Sequence, residues 1–226
     1  MPPAINHGGE SHASAGSSAA DAGTIRATAF GQLRPLSLVD RFGIWLSGRQ
    51  IQNHAPEWQG KRIADIGCGY YAAFARSLLD FVHSATLVDV SIAPELCSHP
   101  KVSVREGVVP TVLEALPARS FDVVLCISLL EHLWNPLEAV CEFHRLLAPG
   151  GVCMINVPSW RGKKYLEYSA FTLGLSPAEE MDDHKHYFDV SDLWPILVRA
   201  GFCPSSIRCF PHKFGLNTFA VCRAGE

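Results

Sequence analysis

The sequence predicts an α/β fold: a doubly wound, mostly parallel sheet with helices on both faces. Three observations predict it. Short apolar runs of strand length recur along the chain, and stretches of helical periodicity separate them. The first run, Ile63 to Ile66, leads directly into the turn Gly67-Cys68-Gly69, with a helical pattern (Phe74, Leu78, Phe81) behind it. Strand, glycine turn and helix in that order form a junction where backbone N–H groups and a positive helix end face a ligand. Alone, a Gly-x-Gly turn serves equally well to bend the chain. The next run strengthens the ligand reading, because Thr86-Leu-Val-Asp89 closes on a carboxylate. That acid lies about 20 residues past the glycines, where the tip of a second strand grips a ribose diol. An adenosine-containing cofactor is therefore expected.

Bulk properties narrow the class. A chain of 226 residues, 48% of them hydrophobic, can bury one core, so one domain is expected. A net charge of -3 provides no global basic field for nucleic acid, and no apolar run reaches the length of a membrane span. The expected partner is a small molecule, with neither nucleic acid nor membrane. Eight cysteines are scattered without a Cys-x-x-Cys pair and read as reduced core residues. Residues 1–24 are rich in Ser, Ala and Gly and lack the regions of a signal peptide. They read as a disordered tail on a cytoplasmic protein whose folded domain spans 25–226.

Along the chain, Pro35 and Ser37 introduce a helix carrying Leu38, Val39, Phe42, Trp45 and Leu46, which runs to about His54. It either caps the sheet edge or closes over the cofactor. After the glycine turn a helix is expected to about Val82. Strands follow at Ala85 to Asp89 and Val102 to Arg105. Phe121 to Cys126 suits a strand covered on both faces. Asn135 as cap, Pro136 in the first turn and Glu138 completing a capping box start the next helix. Leu137, Val140, Cys141, His144 and Leu147 are its expected inner face, and Pro149-Gly-Gly151 ends it. A strand from Val152 to Val157 comes next. The insertion 159–188, rich in aromatic and charged residues, leaves from the carboxyl end of that strand and is the natural acceptor lid. Ser191 is expected to cap a helix through Ala200 with Pro195 still in its first turn. Two final runs, Ile207 to Phe210 and Asn217 to Cys222, are joined by too short a link for a crossover and must pair antiparallel.

Taken in order, Ile63-Ala-Asp-Ile-Gly-Cys-Gly69, Leu87-Val-Asp89, Glu106-Gly107, Ser120-Phe-Asp-Val-Val-Leu125, Leu130-Glu-His-Leu133, Leu146-Leu-Ala-Pro-Gly-Gly151 and Arg199-Ala-Gly-Phe202 form a set. It resembles the class I S-adenosylmethionine-dependent methyltransferases, in particular the small-molecule group that includes quinone-biosynthesis enzymes. The resemblance implies a seven-stranded sheet in the order 3-2-1-4-5-7-6 with strand 7 antiparallel, and S-adenosyl-L-methionine as cofactor. By position it implies that Asp65, Gly67, Cys68 and Gly69 surround the methionine moiety. Asp89, followed by Val90, holds the ribose, Gly107 and Val108 lie against adenine, and Ser128 with Leu129 lines the sulfonium side. Two positions depart from the family pattern: Tyr71 stands where many relatives have a third glycine, and Val108 where many have Asp.

Methyl transfer demands alignment and dryness more than a nucleophilic triad, and a hydroxyl acceptor gains from a base. His132 follows the fourth strand at its carboxyl end and either takes the acceptor's proton or, with Glu131, orients the loop. His184 is the second candidate catalytic group, and Trp160, His186 and Tyr187 are candidate acceptor contacts. Asp182-Asp183-His184 could hold a divalent ion, though adjacent carboxylates in a polar loop are usually just solvated, and no metal is expected. Arg161, Lys163 and Lys164 either grip an acidic acceptor or form a solvated face. The expected reaction is transfer to a small-molecule oxygen. The alternatives are a protein of this fold that binds the cofactor without turnover and a nicotinamide-dependent oxidoreductase.

Overall fold

Seven strands carry the chain: β1 (Arg62–Ile66), β2 (Ser84–Asp89), β3 (Val102–Glu106), β4 (Phe121–Ile127), β5 (Leu147–Pro158), β6 (Ile207–His212) and β7 (Asn217–Arg223). A computed structural model describes residues 38–55, 57–171 and 184–225. The expected tail at 1–24, the helix lead-in at Pro35 and Ser37, and Asp182 and Asp183 of the insertion lie outside the described residues. The strands form one sheet in the order β3-β2-β1-β4-β5-β7-β6. Neighbours from β3 to β5 pair parallel, and β7 pairs antiparallel with both β5 and β6. This is the order and the antiparallel edge expected from the sequence.

The helices are α1 (Leu38–His54), α2 (Ala73–Arg76), α3 (Pro136–Leu146), α4 (Trp160–Phe171) and α5 (Val190–Arg199). Because side chains alternate across a strand, the sheet builds two cores. On one face Ala64, Val124, Cys126, Ile155 and Ala220 pack with Val140 and Phe143 of α3 and Leu193 and Leu197 of α5. On the other, Ile63, Leu87, Leu125, Met154 and Phe219 pack with Ile51 of α1, Ala75 of α2 and the turns behind it. Both faces of β1, β2 and β4 are therefore dry, which is why those strands read as apolar runs, while the edge strand β3 is partly exposed. No helix among the described residues is long and apolar enough to cross a membrane.

Several local expectations are corrected. The helix after the glycine turn is a single turn, not a helix to Val82. Its N-cap, Ala72, is left-handed at φ 44°. Past Arg76 the N–H groups of Ser77, Leu78 and Leu79 bond three residues back rather than four, so the chain tightens into turns that keep Leu78, Leu79 and Val82 buried. So short a helix has little dipole, and recognition at this junction falls to backbone N–H groups and carboxylates. In α3 the buried stripe is Ala139, Val140, Phe143 and Leu146, while Cys141 is exposed and Leu147 already opens β5. Pro136 takes its expected first position, but Asn135 makes no side-chain cap bond. Helix α5 is capped by Asp189, in a reciprocal capping box with Asp192, and not by Ser191; Pro195 consequently lies inside the helix beyond its first turn. All eight cysteines are free, but Cys97, Cys141 and Cys203 are exposed, so they are not uniformly core residues.

Candidate active site

The carboxyl ends of β1, β2 and β4 meet in one place. Gly67 and Cys68 both donate their N–H groups to the Val88 carbonyl, at 2.8 and 3.2 Å, and tie the glycine turn to β2. Gly67 and Gly69 are left-handed, at φ 77° and 73°. At Gly67 even a methyl group is excluded, since a Cβ there would stand 2.8 Å from the Leu129 Cβ. Asp89 closes the other side. One of its carboxylate oxygens accepts the Gly69 N–H at 2.8 Å, the other the Val90 N–H at 2.7 Å, and its carbonyl accepts the Gly107 N–H at 3.0 Å. The structure thus brings Gly67, Gly69, Asp89, Val90, Gly107 and Leu129 into one cradle. Val108, beside Gly107, is 66% exposed and presents an apolar wall. Tyr71, in the place of a third glycine, is half-exposed and packs edge-on against Tyr70 at 5.0 Å between ring centroids.

The electrostatics fit a ligand carrying both a diol and positive charge. Asp65 is fully buried, and burial, reinforced by the nearby Asp89 charge, pushes its carboxyl up to about 7. Two carboxylates in one dry corner favour a cation between them. Burial first, then Asp65 and Asp89, raises the Cys68 thiol far above its usual range, so it stays protonated and serves as packing rather than as a nucleophile.

A second cluster begins where β4 ends. Ser128 is left-handed at φ 55°, a conformation that strains a non-glycine residue, and it turns the chain sharply out of the sheet. Leu130–His132 follows as a 3-10 turn. Glu131 is 1% exposed, and its carbonyl accepts the N–H groups of both Lys185 and His186, at 2.9 and 3.1 Å. That double bond pins the returning end of the insertion over β4. The His132 and His184 rings come within 4.7 Å as a result. His184 Nδ1 is hydrogen-bonded to the Tyr187 hydroxyl at 3.2 Å, and Tyr187 lies 5.6 Å from the Trp160 ring. Burial, then the charges of Glu167 and Glu131, raises the Tyr187 phenol, so it keeps its proton. Glu131, His132 and His184 place one carboxylate and two imidazoles with ligand atoms all within 4.8 Å, an arrangement able to pass a proton or to hold a divalent ion. His184 meets Glu131 and His132; its neighbours Asp182 and Asp183 lie outside the described residues.

His186 turns toward Phe188, 5.7 Å between rings. Trp160 starts α4 and donates its indole N–H to Asp192 at 3.1 Å. In the basic run, Lys163 is paired with Glu167 and sits over the Tyr187 ring, so only part of that run faces solvent as a free cation. Buried polar residues given no role in the sequence reading include Ser47, Asn156, His212 and Thr218. The available signal was a polar residue inside an otherwise apolar strand run, Val152-Cys-Met-Ile-Asn-Val157.

Comparison with known proteins agrees with this geometry. The family described as "Methyltransferase domain" matches residues 40–204. The chain is 35% identical over 162 residues to a ubiquinone biosynthesis O-methyltransferase of Psychrobacter arcticus, covering 66% of this chain and 61% of that one. It is 32% identical over 114 residues to the Pseudomonas aeruginosa protein of that name, covering 47% and 48%. The chain therefore spans about half to three fifths of the length of these curated relatives. Among solved structures, an S-adenosylmethionine-dependent methyltransferase from Mesorhizobium loti superposes with a TM-score of 0.58 at 16% identity, covering 77% of this chain and 96% of that one. Haemonchus contortus phosphoethanolamine N-methyltransferase 2, in complex with S-adenosyl-L-methionine, gives 0.59 at 16% identity over 80% of this chain and 53% of that one. These two share the fold. With the family match spanning most of the sheet and both halves of the site, the chain belongs to the methyltransferase-domain family.

Proposed function

We propose that the chain binds S-adenosyl-L-methionine in the cradle formed by Gly67, Gly69, Asp89 and Gly107, and directs its methyl group to an oxygen of a small-molecule acceptor. The observation that carries this reading is continuity: Leu129 packs against Gly67, and the same turn delivers His132 to His184. When bound, the cofactor supplies an electrophilic methyl group on a sulfonium. The protein's share is position, charge and dryness. Asp89 would hold the ribose hydroxyls through its carboxylate, which can accept several hydrogen bonds at once. Asp65, buried beside it, would face the cationic end of the ligand. Gly67 leaves room for close approach, and Leu129 and Val108 supply apolar walls. His132 would accept the acceptor's proton, with Glu131 and His184 orienting its ring. The names of the two O-methyltransferase relatives support an oxygen acceptor.

Calorimetric titration with S-adenosyl-L-methionine, followed by methyl release from labelled cofactor in the presence of a metabolite extract, tests the proposal. Saturable binding with label transferred to a small molecule is expected. Absence of binding overturns the reading, and binding without transfer leaves a cofactor-binding protein in its place.

A further inference from the structure

Four buried polar atoms on and beside the α1 face of the sheet have no hydrogen-bond partner among the described residues: Ser47 Oγ, Asn156 Oδ1 and Nδ2, and His212 Nε2. Their residues are 5%, 0% and 5% exposed. They converge from three elements. Asn156 stands on β5 in register with Phe219 of β7, and alternation puts it on the Met154 face of the sheet. His212 ends β6 with its ring 5.6 Å from that of Phe219. Helix α1 crosses above. Gly43 lies against the Lys213 ammonium, and the His54 ring lies 5.6 Å from Phe210 and 6.3 Å from Phe219. Ser47 falls between those two points on the same helical stripe, which turns it toward the sheet face where Asn156 and His212 flank Phe219.

A buried polar group left dry costs as much as a lost hydrogen bond, so such a set in one place points to a guest. The site adjoins the reaction centre: Asn156 is in register with Ile127 of β4, and its carbonyl accepts the Ser128 N–H at 2.9 Å. The cover is lightly attached. From 41 to 54 only Ser47 and Ile51 are buried, while Phe42, Ile44 and Trp45 stand about half exposed. An element with so few core contacts opens readily.

We propose that α1 is a lid and that Ser47, Asn156 and His212 seat an uncharged hydroxyl or carbonyl group of the acceptor beneath it. This rests on the methyl-transfer reading and names the acceptor chemistry that reading leaves open. Asn156 and Ser47 each offer a donor and an acceptor. Burial, with the Lys213 charge adding to it, lowers His212 to about 4, so its ring is neutral as well. The three side chains are themselves neutral and match a neutral hydrogen-bonding group, while the Lys213 ammonium lies against Gly43, one helical turn from Ser47. Phe210, Phe219 and Ile51 suit the apolar body that bears the polar group.

The test uses the full chain saturated with S-adenosylhomocysteine and two probes followed by fluorine NMR: 4-fluorophenol, and 4-fluorotoluene, which has a methyl group in place of the hydroxyl. Wild type is expected to bind the phenol about fivefold or more tighter than the toluene, because a built hydrogen-bonding site rejects the analogue lacking the hydroxyl. Asn156→Leu should erase that preference while leaving S-adenosylhomocysteine affinity unchanged and the thermal midpoint equal or higher. Ser47→Ala, a smaller change, should reduce the preference and keeps the test alive if Asn156→Leu does not fold. Failure of S-adenosylhomocysteine to bind sinks the methyl-transfer reading. With that binding intact, equal affinity for the two probes, or a preference that survives both substitutions, overturns the seat alone.

Discussion

The Gly69 N–H donates to the Asp89 carboxylate at 2.8 Å, so the glycine turn after β1 and the acid ending β2 are one structural unit. With Val90 on its second oxygen at 2.7 Å, Asp89 fixes the shape of the cradle from both of its carboxylate oxygens. Asp89→Ala therefore strands two backbone donors as well as removing a charge. Hydrogen bonds to a charged group are worth about 1.5–3 kcal/mol, which corresponds to a loss of roughly 10- to 100-fold in S-adenosyl-L-methionine affinity. Calorimetry should show that loss together with a lower thermal midpoint. Unchanged affinity would remove Asp89 from the binding site.

If Asp65 faces the cofactor as proposed, binding is expected to depend on pH. Its folded carboxyl is raised from 3.8 to about 7 by burial and then by Asp89, so its contribution to stability is full below pH 3.8 and is lost as pH rises through about 7. A cationic ligand favours the ionised form and reverses that raise. Binding near pH 6 is thus expected to release a proton, and affinity to climb with pH until about 7 and then level. Titrations in buffers of different ionisation enthalpy count the proton. Asp65→Asn should abolish the release and raise the denaturation midpoint at pH 8 relative to wild type. A proton count of zero in wild type would refute the coupling.

Gly67→Ala tests the closeness of the two halves of the site. The added methyl meets the Leu129 Cβ at 2.8 Å and must also adopt a φ of 77°. The backbone conformation alone costs about 1–2 kcal/mol, and the clash adds to it. Chemical denaturation should show at least that loss, and displacement of Leu129 should weaken cofactor binding too. A neutral substitution would mean that the turn relaxes freely and does not press on β4.

The parts legible in the sequence are those whose signal is local. Strands buried on both faces announce themselves as apolar runs, and Gly67, Gly69 and Asp89 sit at fixed offsets from two of them. Element edges were less readable. Nothing in the run Ala73 to Val82 marks where bonds to the fourth residue back give way to bonds to the third, and Asp189 and Ser191 are equally good caps by composition. What the sequence could not show is juxtaposition. His132 meets His184 only because the Glu131 carbonyl captures the backbone of Lys185 and His186. Asn156 and His212 share a face only through β7, which lies between their strands.

That captured insertion supports the last prediction, which concerns His132. If its imidazole takes the acceptor's proton, His132→Ala should lower turnover about 10²- to 10⁴-fold with cofactor affinity unchanged, since the ring lies outside the Gly69–Asp89 cradle. Added imidazole should restore part of the rate, which it would not do for a purely structural residue. His184→Ala removes the ring packed at 4.7 Å and the link to Tyr187, so it should shift the pH profile of turnover more than it changes the maximal rate. The same three ligands make a chelator informative. A base oriented by Glu131 and His184 works unchanged in EDTA. If EDTA stops turnover and added zinc restores it, Glu131, His132 and His184 would hold an ion that supplies Lewis-acid activation of the acceptor, and His132 would be a ligand rather than the base.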